Sequence, residues 1–211
     1  MEKAKNDVNT VFEDEYLIIV NKPAGVASQC EGSDDIVSRA KKHTGRDVFI
    51  INRLDQPVGG LVLLAKDKNT AAALSDLEIE KHYLTVVCGM PKEKDRLENY
   101  LFHNKRQNTV KIVNKGMGKL ALLEYKKISQ RGTYALLDVR LITGRHHQIR
   151  VQMTANGTPI YGDTKYNPEF RHKRGVFPAL FSHSLKFIHP VTKEEMYFEA
   201  KPDDKVFEVF Y

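Results

Sequence analysis

The stretch NRLDQPVGG, residues 52–60, sets Arg53 and Asp55 around one leucine, just before a proline, two glycines and the apolar run LVLLA. A carboxylate on a turn between two apolar strands is held in place by their burial, which suits nucleophilic, basic or charge-stabilising work. Aspartate is equally a turn residue in its own right. On spacing alone both readings of Asp55 stand. A second cluster is TGRHHQIR, residues 143–150, which crowds Arg145, His146, His147, Gln148 and Arg150 into one predicted helix start. There Arg145 and Gln148 share a face. An arginine opposes the dipole of a helix N-terminus, so its presence points to a compensating carboxylate or phosphate. The plain alternative is a solvated basic helix. Neighbouring histidines do not share a helix face, so His146 and His147 make a poor metal pair; no H-E-x-x-H or Cys/His cluster occurs elsewhere. Tyr83, in KHYLTVV, reads as a core side chain with its hydroxyl at a strand edge. The loop FRHKRG, with Arg171, Lys173 and Arg174, is either solvated or a contact for an RNA backbone.

Many short strands and a few helices must position these groups. YLIIV from Tyr16 to Val20 reads as a strand, closed by a turn at Pro23 and Gly25. A helix capped by Ser33 or Asp34 runs to Lys42, with Gly45 past its end. VFIINR is a short strand, and GGLVLLAK is apolar throughout, as a strand buried on both faces would be. Asp67 caps the Ala-rich KNTAAALSDLEI, and KHYLTVVCGMP is a strand closed by Gly89 and Pro91. Residues 1–10 read as a loose start and 92–108 as irregular. TVKIVN, LALLEYKKISQ and YALLDVRLITG are strands, the last two joined through RGT. A helix is expected over His146–Asn156, then the loop PIYGDTKY, strands in LFSHSLKF and EMYFEA, and a terminal helix in DDKVFEVF. Short turns between consecutive strands predict an α+β fold with an extended, mostly antiparallel mixed sheet, flanking helices and a central cleft.

The chain has 211 residues, 41% hydrophobic and 28% charged, which is ordinary for a globular protein of one domain. No apolar run is long enough to span a bilayer, and the charged start lacks a signal-peptide core, so a cytoplasmic location is expected. Cys30 and Cys88 lack metal spacing and read as plain small apolar residues. A net charge of +6 is compatible with a polyanionic partner such as RNA. Neither G-x-G-x-x-G nor G-x-x-x-x-G-K-[ST] occurs, so nothing predicts a nucleotide cofactor.

Five segments, in order, resemble the RluA-type pseudouridine synthases. YLIIVNKPAGV is similar to that family's opening strand and K-P-x-G turn. NRLDQPVGGLVLLAKD is similar to its H-R-L-D-x-x-T-S-G-L-L-x-x-A-K motif. KHYLTVVCG resembles its K-x-Y-x-A-x-V-x-G strand. LITGRHHQIRVQMTANGTPIYGDTKY resembles its T-G-R-x-H-Q-I-R helix and G-x-P-I-x-G-D-x-x-Y loop, and LFSHSLKFIHPVTKE its closing segment.

The resemblance implies a cofactor-free isomerisation of a flipped uridine in rRNA or tRNA; nothing in the sequence suggests an obligate protein partner, and a monomer is expected. Asp55 matches the essential aspartate, and Arg145 the arginine that lies beside it. Tyr83 matches the tyrosine packed on the target base, and Leu185 an aliphatic wall of the uracil pocket. Arg53, Lys22, His147, Gln148 and Arg150, with Arg171, Lys173 and Arg174, are expected to touch RNA or support the site. The family's usual His is Asn52 here, and its T-S-G is Val58-Gly59-Gly60. These departures motivate a rival reading: a non-catalytic RNA-binding or RNA-chaperone protein on the same fold. No S4-type domain is apparent, so RNA recognition is expected from the catalytic domain itself or from a partner.

Overall fold

A computed structural model describes residues 8–30 and 34–211. The chain divides into two compact units, Met1–Glu80 with Ser182–Lys201, and Lys81–Phe181 with Pro202–Tyr211. The architecture is α+β.

The first unit contains strands β1 (Thr10–Glu13), β2 (Leu17–Lys22), β3 (Phe49–Ile50) and β4 (Gly59–Ala65), and helices α1 (Ile36–Thr44) and α2 (Lys68–Asp76). Most of β10 (Leu180–Ile188) and β11 (Glu195–Glu199) complete it. Strand β2 runs antiparallel to β4 in the register Leu17↔Ala65 to Lys22↔Gly60, and β10 pairs antiparallel with β11. All of β4 is buried, as its unbroken apolar run predicts. Leu17, Ile19, Leu61, Leu63, Ala65, Leu74, Leu185 and Phe187 form one core cluster. Gly60, at φ +115°, lets β4 pass against β10; a Cβ there would overlap the backbone of Ser182.

Both helices of this unit are capped by aspartate. Asp67 accepts from Thr70 N at 2.9 Å, as expected, and Asp35 accepts from Ser38 N at 2.7 Å. The cap of α1 is therefore Asp35, one residue beyond Asp34; Ser33, the other candidate, lies outside the described residues. Gly45 ends α1 in the left-handed conformation. The reading of residues 1–10 as loose fails at its far end. Thr10 opens β1, and the Asn9 carbonyl accepts from Asn21 N at 2.8 Å.

The second unit holds β5 (Glu80–Cys88) beyond its first residue, β6 (Lys94–Asn104), β7 (Thr109–Val113), β8 (Lys119–Arg131) and β9 (Tyr134–Leu141). They lie in the order β5-β9-β8-β6-β7, each pair antiparallel. Helices α3 (Gln148–Ala155) and α4 (Lys205–Glu208) and a 3-10 turn at Pro168–Phe170 belong here too. Leu101, Val110, Ala121 and Val151 form a core cluster that joins α3 to the sheet.

The segment 92–108, expected to be irregular, contains the 11-residue strand β6. Its alternation of charged and half-buried positions is that of a strand with one face in water. The polar count hides that period, and β6 is secured by pairing with both β7 and β8.

Candidate active site

In the first unit, Asp55 sits half-buried on a turn closed by Val58 N donating to the Asp55 carbonyl at 2.9 Å. The turn is braced from every side. Leu54, buried, donates its N–H to Ser28 Oγ at 3.0 Å and accepts from the same hydroxyl at 2.8 Å. Gln56 and Gly25 are joined twice: Gly25 N donates to Gln56 O at 2.9 Å, and Gln56 Nε2 donates to Gly25 O at 3.0 Å. Asn52 works like a strand residue: its Oδ1 accepts from Leu63 N at 2.7 Å, and its Nδ2 donates to Leu61 O at 3.2 Å. The departure from the family's His thus has a structural use.

Lys22 is the hub of this brace. It has no exposed surface, and its Nζ donates to the carbonyls of Pro23 at 3.0 Å, Val26 at 2.6 Å and Gln56 at 3.2 Å. Burial pulls its pKa down to about 8, with the negative charge of Asp55 opposing the fall. The KPAG turn and the RLDQP turn are therefore one hydrogen-bonded body. Lys22 supports the site from inside and is withdrawn from solvent, so it is no direct RNA contact. Arg53, one step before Leu54, is exposed. Leu185 is fully buried in the core cluster. It packs there with Leu61, Leu63 and Phe187.

The second unit carries Tyr83, Arg145 and the basic residues. Tyr83 is buried in β5 opposite Val139. The segment 143–150 is no helix start of the expected kind. Helix α3 begins only at Gln148, and His147, at φ 52°, is its left-handed cap residue without a side-chain cap bond. Gln148, 2% exposed, ties the segment before the helix to its first turn. Its Oε1 accepts from Thr143 Oγ1 at 2.8 Å and Arg145 N at 2.9 Å, and its Nε2 donates to Leu122 O at 3.0 Å. Arg145 is exposed, and its Nε donates to Leu120 O at 2.9 Å. With its stem so fixed, the guanidinium is aimed rather than left to wander.

Arg150 and Asp163 form a buried bidentate pair, Nε to Oδ2 and Nη2 to Oδ1, both at 2.8 Å. Only 5% and 1% of their side chains are exposed. Asp163 Oδ1 also accepts from Lys165 N and Tyr166 N, at 2.9 and 3.1 Å. The Tyr166 hydroxyl accepts from Val110 N at 2.9 Å and lies 2.6 Å from His147 Nδ1. A neutral His147 ring that accepts the Tyr166 proton at Nδ1 carries its own proton on Nε2. Burial, with the charges of Arg150, His146, Lys165 and His103, pulls the His147 pKa down to about 2. His147, Gln148 and Arg150 are thus interior supports, the second of the two roles expected of them. Arg171, Lys173 and Arg174 are exposed in their loop, with Lys173 Nζ 4.2 Å from the centre of the Phe170 ring.

Ser28, Asp163 and Tyr166 went unassigned in the sequence reading. Asp163 and Tyr166 stand in a quoted motif, so the pattern carries them, but their partners come from other segments. Ser28 carries no local signal at all.

The comparisons bear on this geometry. A family model described as RNA pseudouridylate synthase matches residues 16–155. Ribosomal large subunit pseudouridine synthase D of Zymomonas mobilis is 31% identical over 219 residues, 92% of this chain and 69% of the relative. tRNA pseudouridine synthase C of Vibrio parahaemolyticus is 28% identical, over 94% of this chain and 92% of the relative. Among solved structures, human RNA pseudouridylate synthase domain containing 4 aligns with a TM-score of 0.77 at 21% identity, over 96% of this chain and 90% of that one. At that identity the likeness concerns the fold.

Proposed function

Because the chain belongs to the RNA pseudouridylate synthase family, and within it to the RluA type, we propose that Asp55 carries the isomerisation of a specific uridine in structured ribosomal or transfer RNA. The observation that supports Asp55 is the brace around its turn. Lys22, Ser28, Asn52 and Gln56 each fix it by hydrogen bonds, a rigidity that a plain surface turn has no need of.

The reaction breaks the N1–C1′ bond of uridine, turns the base, joins C5 to C1′, releases the C5 proton and leaves a proton on N1. Atoms balance without a cofactor. A carboxylate at Asp55 supplies negative charge where C1′ becomes electron-poor as N1 departs. The base must leave its stack to reach it. Tyr83 offers a ring to that base, and Arg145 and Arg53 offer charge to the nucleotide. Arg171, Lys173 and Arg174 hold phosphates in the same reading. The departure at Asn52 serves the turn and so gives no weight to a binding-only role. No helix among the described residues is long and apolar enough to cross a membrane. The reading makes the protein a cytoplasmic monomer acting on RNA without an obligate protein partner.

The test uses ribosomal and transfer RNA carrying tritium at C5 of uridine. The wild type should release tritium to solvent and Asp55→Asn should not. Equal release by both proteins removes Asp55 from the chemistry. No release by the wild type, where a known synthase works, overturns the activity on these RNAs.

A further inference from the structure

Four rings of the second unit form a continuous column. His103, near the end of β6, packs on His146 with ring centroids 4.3 Å apart and 33° between planes. His146 stacks on His147 at 3.9 Å and 26°, a contact made possible because neither residue is helical. His147 meets Tyr166 edge-on at 5.4 Å. The inner end is fixed by the Tyr166 hydroxyl bonds to His147 and Val110, with the Arg150 guanidinium 5.2 Å from the Tyr166 ring centre. In the middle, His146 Nε2 lies 2.8 Å from Asn108 Oδ1. The outer end, His103, is exposed.

The strand that carries His103 runs into a cationic arm. Residues 99–123 contain Lys105, Arg106, Lys111, Lys115 and Lys119 and not one Asp or Glu. Lys105 and Arg106 are exposed at the tip between β6 and β7. Phe102, the residue before His103 and therefore on the opposite face of β6, is 43% exposed, with Lys111 Nζ 5.9 Å from its ring centre. Exposed rings interleaved with unopposed cations are what single-stranded nucleic acid calls for: π faces for bases and charge for the backbone.

We infer that His103 is a stacking platform for an unpaired base of the RNA, the open end of the His103–His146–His147–Tyr166 column, with Lys105 and Arg106 on the flanking phosphates. This rests on the RNA reading above and adds to it a subsite on the β6–β7 hairpin. A column braced at its inner end keeps the outer ring from tilting away, so a base stacks on it without first ordering it.

The probes are fluorescein-labelled oligouridylate and oligoadenylate decamers, an RNA duplex of similar phosphate count, and a decamer carrying 2-aminopurine. Wild type should bind the single strands and quench the 2-aminopurine. Loss of one base stack predicts single-strand binding by His103→Ala weakened about 5- to 100-fold and quenching lost. Duplex binding should hold, because its bases are already stacked. His103→Phe should restore both affinity and quenching, since it restores a π face. The salt slope should stay as in wild type for His103→Ala and become shallower by about 0.7 for Lys105→Ala. Single-strand binding and quenching by His103→Ala equal to wild type overturn the inference, as does failure of the wild type to bind either decamer. Tritium release by the wild type, measured beside these, separates the two readings. Release with no role for His103 sinks only the platform; absence of release sinks the activity.

Discussion

Lys22→Met makes the sharpest test of how the turn that carries Asp55 is held. The substitution keeps the aliphatic stem and deletes the ammonium that three carbonyls share. Gln56 O keeps its bond from Gly25 N, so the carbonyls of Pro23 and Val26 bear the loss. Each buried carbonyl deprived of a donor costs about 1–3 kcal/mol. Against this, a lysine drawn from 10.5 to about 8 carries a burial cost of about 3 kcal/mol that the variant no longer bears. The net destabilisation is therefore small, on the order of 1 kcal/mol, measurable by urea unfolding.

Activity should suffer far more than stability in Lys22→Met, because the bond to Gln56 fixes the turn that carries Asp55. A shift of about 1 Å costs about a hundredfold, so kcat for tritium release should fall on that order while KM changes little. The pH behaviour adds a signature that lost folding cannot imitate. Between about pH 8 and 10.5 the unfolded chain holds the Lys22 proton more tightly than the folded one, so this group's contribution to stability rises with pH. Wild-type kcat should nonetheless fall above about pH 8, as the ammonium that ties the two turns together is lost. In Lys22→Met that alkaline limb should vanish. An unchanged limb, or a kcat within twofold of wild type, refutes the brace.

Asp163→Asn leaves Arg150 as a buried cation without its carboxylate, and should cost about 3–5 kcal/mol by urea or thermal unfolding. His147, held neutral down to about pH 2, contributes stability that is complete above about pH 6.5 and lost as pH falls below it. The loss should approach about 1.4 kcal/mol per pH unit, and His147→Asn, which tolerates the left-handed backbone, should flatten that slope in urea melts between pH 7 and 5. Gly60→Ala drives a Cβ into the Ser182 backbone at φ +115° and should lower Tm steeply or prevent folding, whereas Gly45→Ala meets no atom and should cost only the left-handed strain at φ +68°, about 1–2 kcal/mol.

The elements with one dominant physical signal were legible in the sequence. The apolar run of β4 could only be a buried strand, and Asp67 before an Ala-rich stretch could only open a helix. Where two signals compete, reading failed. Strand β6 hides its period under charge, so only its partners β7 and β8 reveal it. The segment 143–150 has helical composition, yet Gln148 folds back on Thr143 and Arg145 and delays α3 by two residues. For the site, residue type indicated what was charged but not which way it faced. Lys22, Gln148 and Arg150 read as RNA contacts or supports with nothing in the sequence to choose between the two; each is an interior support, held in part by Gln56, Leu122 and Asp163 from other segments. The turn that carries Asp55 was legible, and the resemblance singled out the carboxylate; the brace was not legible, because Ser28 and Gln56 become partners only after folding.

The most direct measurement is a nucleotide-resolution pseudouridine map of cellular RNA from the wild type, a deletion strain, and the deletion complemented with Asp55→Asn at matched protein level. The account predicts a discrete site in ribosomal or transfer RNA that is modified in the wild type and unmodified in the other two. A map identical in all three, or a site restored by Asp55→Asn, contradicts it.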